Sequence, residues 1–470
     1  MSAVTHVERE APPKLIGQAA ASPAGPAPEE TATLRPPPEV PLPRYRQVLA
    51  MSQREIEFVF RWRRQLGDVY RVRGMIPGGP VITSHPDHVR SVLSADPALV
   101  PSLTAESALL PIVGPNSVLT ANGPRHLRQR KLLLPPFHGE AIERYVAMIT
   151  EVTNREIDSW PIGKAVALAP RMQAITLDVI TSGILGVEGR PKRGTPEHGL
   201  RNTVNYLSKA STTPIAKLGE LMNIGHDEPV GLQKRGVELL DRFTYPVIRA
   251  RRSDPDLEGR SDILSLIMRA RTEDGEALSD REVRDELLTL VLAGFETTAN
   301  SLAWTWERLV RNRDAYERLH HAVRAGDDAE GVVERTILEA MRSRPVIPAI
   351  GRRVTVPWRL GEYVVGAGTP IVMSILLIHH REDLYPDPFA FRPERWIGHK
   401  PGTYEWIPFG GGTRRCLGAT LAMAEQRVVL AAMARRLEME AVDPEPEHAQ
   451  HRNVTMIPGR GARVVIRGRS

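Results

Sequence analysis

The longest helical pattern in the chain covers residues 281–312. At 1.5 Å per residue, a helix of this length is about 48 Å long, which is enough to cross a whole domain. Shorter patterns flank it on both sides. The helical ones cover residues 48–66, 139–158, 314–325, 330–343 and 417–438, and the β-like ones cover residues 68–72, 79–83, 361–374 and 463–467. The sequence therefore predicts a mainly α-helical fold with small β-sheets, in which one long helix crosses the domain.

The N-terminal segment differs in composition from the rest of the chain. Ten of the 40 prolines lie within residues 1–43, where a uniform distribution would place roughly four. We therefore expect residues 1–44 to form a Pro-rich, disordered leader. No second linker of this kind and no fixed-period repeat follows, so residues 45–470 are predicted to form a single domain.

Charge and hydropathy exclude several classes of partner. The chain has 62 Lys and Arg residues against 56 Asp and Glu residues, a net charge of +6, without a run of five or six like charges. This balance does not favour binding to nucleic acid or to an anionic membrane. No apolar stretch reaches the roughly 18 residues of a transmembrane helix, and the acidic, Pro-rich N-terminus does not resemble a secretory signal. We therefore expect a cytoplasmic protein without a transmembrane anchor.

The single cysteine, Cys416, is the first candidate for chemistry. One thiol excludes a disulfide framework and any zinc site with two or more thiolates. Cys416 lies in the Gly-rich turn 409–418, which leads into a helical pattern, and a helix N-terminus lowers a thiol pKa and supplies N–H donors to the sulfur. Glycines there let a flat partner approach closely. A thiolate in this position can attack a substrate or bind a metal, and the alternative is a buried structural cysteine.

A second constellation joins Glu339 to two arginines. Glu339 and Arg342 lie one helical turn apart, a spacing that by itself is typical of a surface ion pair. The apolar residues around them leave little room for a solvated face, and Arg395 follows in the loop 391–396. A buried Glu needs its charge matched, and the planar fork of Arg donors suits that task.

Two further motifs lie on helical patterns. Residues 293–298, Ala-Gly-Phe-Glu-Thr-Thr, form a weak point in the long helix, because Gly and Thr are poor helix formers. Gly294 fits either close helix packing or a groove, beside which Glu296 and Thr297 supply an acid and a hydroxyl for a proton relay. His126 lies four residues before Arg130, on the same helix face, which by itself is typical of a solvated basic helix.

Together and in this order, the four features resemble the cytochrome P-450 family of haem-thiolate monooxygenases, of the soluble bacterial type. The resemblance covers about residues 45–470, and segment 409–418 fits the haem-loop pattern Phe-Gly-x-Gly-x-Arg-x-Cys-x-Gly at every fixed position. It implies the P-450 fold, with haem b (iron protoporphyrin IX) between the long central helix and the helix that follows the cysteine loop. It also implies an oxidoreductase that inserts one oxygen atom of O2 into a lipophilic substrate, by hydroxylation or epoxidation.

The resemblance assigns a role to each motif. Cys416 would be the metal ligand, whose thiolate donates electron density to the iron. On the other face of the haem, Thr297 would bind dioxygen, Glu296 would relay protons and Gly294 would leave room for oxygen and substrate. Glu339, Arg342 and Arg395 would form a structural triad. The expected haem contacts are Phe409, Gly412, Arg414, Gly418, His126, Arg130 and Arg352. For the last of these, the sequence does not choose between Arg352 and Arg353.

The resemblance also implies partners. No flavin or dinucleotide domain fits beside the haem fold in this length, so electrons are expected from a ferredoxin or flavodoxin with its NAD(P)H reductase, and the protein is expected to be a monomer. A basic face near Arg415 is a candidate docking surface, although it is equally typical of a solvated helix. Its members are Arg125, Arg128, Arg130 and Lys131. The apolar residues expected near the substrate are Leu109, Leu110, Ile112, Val113, Leu290, Phe295, Ile347 and Ile350.

Three other functions remain compatible with the sequence. A peroxygenase or isomerase of the same fold would not need both Glu296 and Thr297, so their presence favours the monooxygenase. A non-catalytic haem-binding protein would bind ligands without turnover. A hydrolase that uses Cys416 as its nucleophile would need a His base within reach and would show no haem spectrum.

Overall fold

The computed structural model describes residues 19–27, 34–73, 79–107, 109–137, 140–187, 189–211, 213–271, 275–326 and 331–469. These residues form fifteen α-helices. In chain order they are α1 (Arg44–Leu66), α2 (Pro86–Leu93), α3 (Leu110–Val113), α4 (Gly123–Leu133), α5 (Glu140–Asp158), α6 (Leu168–Leu185), α7 (Pro196–Ala210), α8 (Pro214–Asn223), α9 (Gly231–Arg252), α10 (Ile263–Arg269), α11 (Asp280–Val310), α12 (Arg313–Ala325), α13 (Val332–Ser343), α14 (Ile375–Ile378) and α15 (Ala419–Arg436).

The same residues contain twelve short β-strands in small sheets. They are β1 (Ala24–Pro26), β2 (Val69–Arg71), β3 (Val81–Thr83), β4 (Ala165–Ala167), β5 (Ala349–Arg353), β6 (Trp358–Leu360), β7 (Tyr363–Val365), β8 (Pro370–Ser374), β9 (Leu437–Ala441), β10 (Ala449–Arg452), β11 (Thr455–Pro458) and β12 (Arg463–Arg469). Their orders are β2-β3-β8-β5, β4-β12-β9, β1-β6-β7 and the hairpin β10-β11. Only β3 and β8 pair in parallel among these strands. The predicted mainly α-helical fold with small sheets is confirmed.

The long central helix begins where local chemistry dictates. Ser279 and Glu282 form a capping box, in which each side chain accepts a hydrogen bond from the backbone N–H of the other residue. α11 then continues for 31 residues, through the Gly and Thr residues of its middle. Within the described helices, none combines the length and apolar character that a membrane span requires.

α11 is the centre of the hydrophobic core. Its most extensive contact is with α6, and it also packs against α9, α13 and α15. Leu302, Ala303, Trp304 and Trp306 on its C-terminal half are completely buried. Because such a rigid, buried helix moves little, side chains on its middle turns have fixed positions relative to α15, the helix that follows the cysteine loop.

Part of the N-terminal leader is ordered, contrary to the expectation for residues 1–44. Residues Ala24–Pro26 form β1, which pairs antiparallel with Leu360–Trp358 of β6. Ser22 bonds to the ring of His88 at 2.8 Å, and its N–H donates to Asp87 at 2.9 Å. The prediction of disorder is therefore wrong for residues 19–27 and 34–44, while residues 1–18 and 28–33 lie outside the described part of the chain.

Candidate active site

The cysteine loop depends on glycine at two positions. Gly410 has φ +66° and Gly412 has φ +63°, in the left-handed region that other residues avoid. A Cβ atom on Gly412 would also overlap the backbone carbonyl of Leu93. Gly418 precedes α15, and a Cβ atom there would meet no other group within 4 Å. The backbone beside the cysteine is therefore folded by glycine and is open on one side.

Cys416 lies at the end of this loop. Its N–H donates to the carbonyl of Phe409 at 2.9 Å, which closes the loop around the thiol. Burial raises the pKa of the Cys416 thiol, and the N–H of Gly418, then Arg415 and Arg130, oppose this increase. The prediction of a lowered pKa is therefore wrong for the thiol alone, because desolvation outweighs the helix terminus. The Cys416 residue is nevertheless exposed in the structure, so a ligand can reach it.

Phe409 connects the loop to the core. Its ring packs edge-on against Trp406, with 6.1 Å between ring centroids, and the Trp406 indole N–H donates to the carbonyl of Leu338 on α13 at 3.1 Å. The Ile407 N–H donates to the ring of His379 at 2.9 Å. The residues before Cys416 are thus held by hydrogen bonds from two directions.

A group of four basic side chains surrounds the approach to the loop. We refer to His126, Arg130, Arg352 and Arg414 as the cationic cluster. Burial, followed by the charges of Arg414, Arg130 and Arg352, lowers the pKa of His126 to about 4. Burial and the neighbouring arginines lower the pKa of Arg414 to about 10. Among the described residues, no carboxylate forms an ion pair with any of the four, so the positive charges of Arg130, Arg352 and Arg414 are uncompensated.

The cluster is held in place by backbone acceptors. Arg414 donates to the carbonyls of Leu119 and Ala121 and to the side chain of Asn122, the last at 2.6 Å. Arg130 donates to the carbonyl of Arg415 at 2.7 Å. The chain segment before α4 is therefore anchored to the cysteine loop. Asn122 is a contact that sequence inspection missed, because no motif marks it.

The structure distinguishes Arg352 from its neighbour. Arg353 pairs with Glu106, with its Nε 2.9 Å from the carboxylate, and also donates to the carbonyl of Gly368. Arg352 points to the other side of β5, is 8% exposed, and donates only to the carbonyl of Gly351 within the described chain. Burial lowers the pKa of Arg352 to about 10. Arg352 therefore belongs to the cationic cluster, and Arg353 does not.

The Glu339 triad, consisting of Glu339, Arg342 and Arg395, is assembled as expected. Arg342 makes a two-pronged pair with Glu339, each N–O distance being 2.8 Å, and the Nε of Arg395 donates to the same carboxylate at 3.1 Å. All three side chains are at most 1% exposed. The remaining guanidinium donors reach backbone carbonyls, including those of His379 and Pro386. The triad thus fixes the chain between α13 and the cysteine loop.

On α11, a stripe of three residues near the middle of the helix is accessible. Ala293 is exposed, and Leu290 and Thr297 are partly accessible, while Phe295 and Thr298 between them are buried. The Thr297 hydroxyl donates to the carbonyl of Ala293 at 2.8 Å. Because Leu290, Ala293 and Thr297 recur at spacings of three and four residues, they lie on one face of the helix. Ser301, one turn later, bonds to Gln426 of α15 at 2.7 Å.

The other two predicted residues of this motif have different surroundings from those expected. A Cβ atom on Gly294 would lie 2.6 Å from Ile180, so Gly294 permits close packing of α11 on α6 rather than opening space for oxygen. Glu296 makes no hydrogen bond to Thr297 and instead accepts one from Arg452 of β10 at 3.0 Å. Arg452 was not anticipated from the sequence, because it lies 156 residues further along the chain.

These donor sets fit a haem. The accessible thiol of Cys416 is a soft ligand for iron, and its loop leaves an open side at Gly418. The cationic cluster lacks an anionic partner, and a haem brings two propionates. Arg352 and Arg414 also line one narrow cleft, with Asn122 and Thr413. Arg352 is buried and Arg130 and Arg414 are partly buried, and uncompensated charge in such surroundings is costly unless an anion binds to it.

Comparison with known sequences identifies the family of the chain. The family model described as Cytochrome P450 matches residues 36–463. A protein named cytochrome P450 138 from Mycobacterium tuberculosis is 36% identical over 451 residues, 95% of this chain and 99% of the relative. Cytochrome P450 135B1 of the same species is 35% identical over 425 residues, with 90% and 89% coverage. Cytochrome P450 137 is 40% identical over 359 residues, with 76% and 74% coverage.

Solved structures show the same fold at lower sequence identity. A retinoic-acid-bound cyanobacterial CYP120A1 superposes with a TM-score of 0.77 at 21% identity, covering 93% of this chain and all of that one. The heme domain of cytochrome P450DA superposes with a TM-score of 0.76 at 22% identity, covering 93% and 98%. Both matches extend over nearly the whole chain, so the fold is shared from the small sheets to the cysteine loop.

Proposed function

The chain belongs to the cytochrome P450 family of haem-dependent monooxygenases, and we propose that it hydroxylates or epoxidises a lipophilic organic substrate with electrons from a separate ferredoxin or flavodoxin and its NAD(P)H reductase. The observation that carries the proposal is the pairing of one accessible thiol with the uncompensated cationic cluster. A metal ligand and an anion-binding surface meet at the same loop. We propose haem b as the cofactor, bound through both.

Each residue of the loop side would have a defined task. The sulfur of Cys416 would ligate the iron, and the Gly418 N–H would donate to that sulfur. Arg352 and Arg414 would bind the propionates, together with His126 and Arg130. When bound, the haem supplies the iron at which dioxygen is reduced and one of its oxygen atoms is passed to the substrate.

The residues of α11 would contact the substrate and transfer protons. Leu290, Ala293 and Thr297 present an apolar stripe with one hydroxyl, which suits a lipophilic molecule and excludes bulk water. The Thr297 hydroxyl proton, now donated to Ala293, is available to a group bound beside the helix. Glu296 would carry protons toward this position, because the reduction of dioxygen consumes them.

The decisive experiment is the carbon monoxide difference spectrum of the reduced protein. We expect a thiolate-type, red-shifted band in the native protein and its loss in the Cys416→Ala variant, because the chain has one cysteine and so no other thiol can replace it. The haem content of both proteins is measured in parallel. A folded native protein that binds haem but lacks the red-shifted band would disprove thiolate ligation.

The redox partner is proposed to bind near α4. Arg125, Arg128, Lys131 and Arg415 are exposed there, and an acidic partner protein would complement them. We expect Arg128→Glu to slow reduction by a ferredoxin about tenfold without changing the substrate-induced spin shift. Arg313→Glu is the control, since Arg313 is an exposed residue of α12. Equal reduction rates in Arg128→Glu and wild type would remove this face from consideration.

A further inference from the structure

The hairpin β10–β11 is fixed against the central helix. Its strands pair from Ala449–Pro458 to Arg452–Thr455. The Met456 N–H donates to the carbonyl of Val346 at 2.7 Å, and the indole N–H of Trp304 on α11 donates to the carbonyl of Met456 at 3.0 Å. Strand β11 of the hairpin therefore has a defined position beside the C-terminal half of α11.

Arg452, the last residue of β10, reaches Glu296 from this hairpin. Its Nη1 lies 3.0 Å from the Glu296 carboxylate, and the two side chains are only 14% and 13% exposed. The Nε of Arg452 is buried and has no hydrogen-bond partner among the described residues. Burial raises the pKa of Glu296 and the charge of Arg452 opposes this. Arg452 is the charged group that faces Glu296 in the described structure.

His451, the residue before Arg452, connects the same hairpin to α1. The His451 ring lies 2.9 Å from the carboxylate of Glu55 on α1. Successive residues of a strand point to opposite faces, so His451 and Arg452 bind two carboxylates on opposite sides of β10. The hairpin thus binds Glu296 through Arg452, and its contacts with α1 and α11 restrain its position. Arg452 therefore has little freedom to move away from Glu296.

We propose that Arg452 is a positioning residue for proton delivery, which holds the carboxylate of Glu296 beside Thr297 on α11 and keeps it ready to accept a proton from water. This inference rests on the proposed function. In each transfer a water molecule gives a proton to the Glu296 carboxylate and is itself reprotonated by bulk solvent, so no hydroxide is left behind. The O–H bond formed at Glu296 then breaks as its proton passes toward the Thr297 side. Arg452 acts only as a hydrogen-bond donor to Glu296 and transfers no proton itself.

The first measurement is an infrared pH titration of the resting, haem-containing protein. The Glu296 signal is defined as the protonated-carboxyl absorption that is lost in Glu296→Gln. In Arg452→Met we expect this signal to titrate at higher pH than in wild type, because burial then acts alone. Arg452→Lys retains a cation and should stay close to wild type. The matched control is Arg467→Met, which breaks an exposed Arg–Glu pair in β12.

The second measurement uses NADPH, a surrogate ferredoxin and its reductase, without added organic substrate. We expect Arg452→Met to raise hydrogen peroxide formed per NADPH consumed and to increase the solvent deuterium isotope effect, with an effect of about tenfold on the proton-limited step. Arg452→Met combined with Glu296→Gln should be no worse than Glu296→Gln alone, because both changes act on one carboxylate.

The outcomes separate this inference from the proposed function. A native protein without the red-shifted carbon monoxide band would overturn the proposed function itself. A normal band with a Glu296 titration identical in wild type and Arg452→Met would overturn only the role of Arg452. Should Arg452→Met fail to fold, the Arg452→Lys and Glu296→Gln proteins still test the inference. If the solvent isotope effect is unchanged in Glu296→Gln, Glu296 does not deliver protons, and the proposed role of Arg452 is overturned as well.

Discussion

Two groups of buried arginines in this protein differ in how their charge is compensated. In the Glu339 triad, one carboxylate accepts from both arginines, and backbone carbonyls accept the remaining donors. In the cationic cluster, four basic groups lie close together without a carboxylate among the described residues. The triad is complete within the chain, whereas the cluster needs an anion from outside.

This difference separates a structural site from a binding site more clearly than burial or composition does. Both groups are arginine-rich and largely inaccessible, and both lie in contact with the segments that lead to Cys416. A buried charge that the chain itself neutralises supports the fold, and one that it leaves uncompensated is a place for a ligand. The predictions below test that distinction.

The largest effect is expected for Glu339→Gln. Removal of the charge leaves Arg342 and Arg395 buried and unpaired, which should lower the free energy of unfolding by about 3–5 kcal/mol. Urea unfolding measures it. Glu334→Gln is the control on the same helix, where an exposed pair with Arg427 should contribute about 0.5 kcal/mol or less. Similar losses in the two variants would contradict the special status of the triad.

The next effect concerns pH and His126. Its pKa is about 4 in the folded haem-free protein and about 6.5 when unfolded, so the folded state binds fewer protons between these values. Its contribution to stability is complete above pH 6.5 and is lost as the pH falls toward 4. We expect a loss of about 2 kcal/mol between pH 7.5 and pH 5 in wild type relative to His126→Gln. The free energy of urea unfolding is measured against pH for both proteins. Parallel profiles for wild type and His126→Gln would contradict the predicted contribution of His126.

The smallest effect distinguishes Arg352 from Arg353. Arg352→Met should weaken haem retention about tenfold, because one charge-assisted contact to a propionate is lost. Arg353→Met removes a pair with Glu106 at the surface and should leave retention unchanged. Haem transfer to an excess of an apo acceptor protein gives the rates. Faster loss in Arg353→Met than in Arg352→Met would reverse the assignment.

Two long helices were predictable from the sequence, and a third, α6, was not. The patterns at 48–66 and 281–312 correspond closely to α1 and α11. Helix α6 was missed. Residues 175–181 of it are all buried, although Thr176, Asp178 and Thr181 among them are polar, so polar residues do not mark a solvated face of this helix.

Some contacts of the candidate site were predictable from the sequence, and others were not. Motifs of neighbouring residues, such as Glu339 with Arg342, are visible in the sequence because helical spacing places them together. The Arg452–Glu296 pair depends on the position of a hairpin, which only the tertiary structure sets. The sequence also does not show which neighbour Gly294 faces. In the structure this neighbour is Ile180, so Gly294 serves helix packing and does not open space.

The N-terminal strand β1 has a consequence for the sheet that it joins. β6 lies between β1 and β7, so both of its edges are paired. A chain shortened to begin at residue 44 would leave the outer edge of Trp358–Leu360 without hydrogen-bond partners, and free strand edges template association between molecules. With β1 in place, the outer strand of this sheet ends in Pro26, which has no backbone N–H to donate to a further strand.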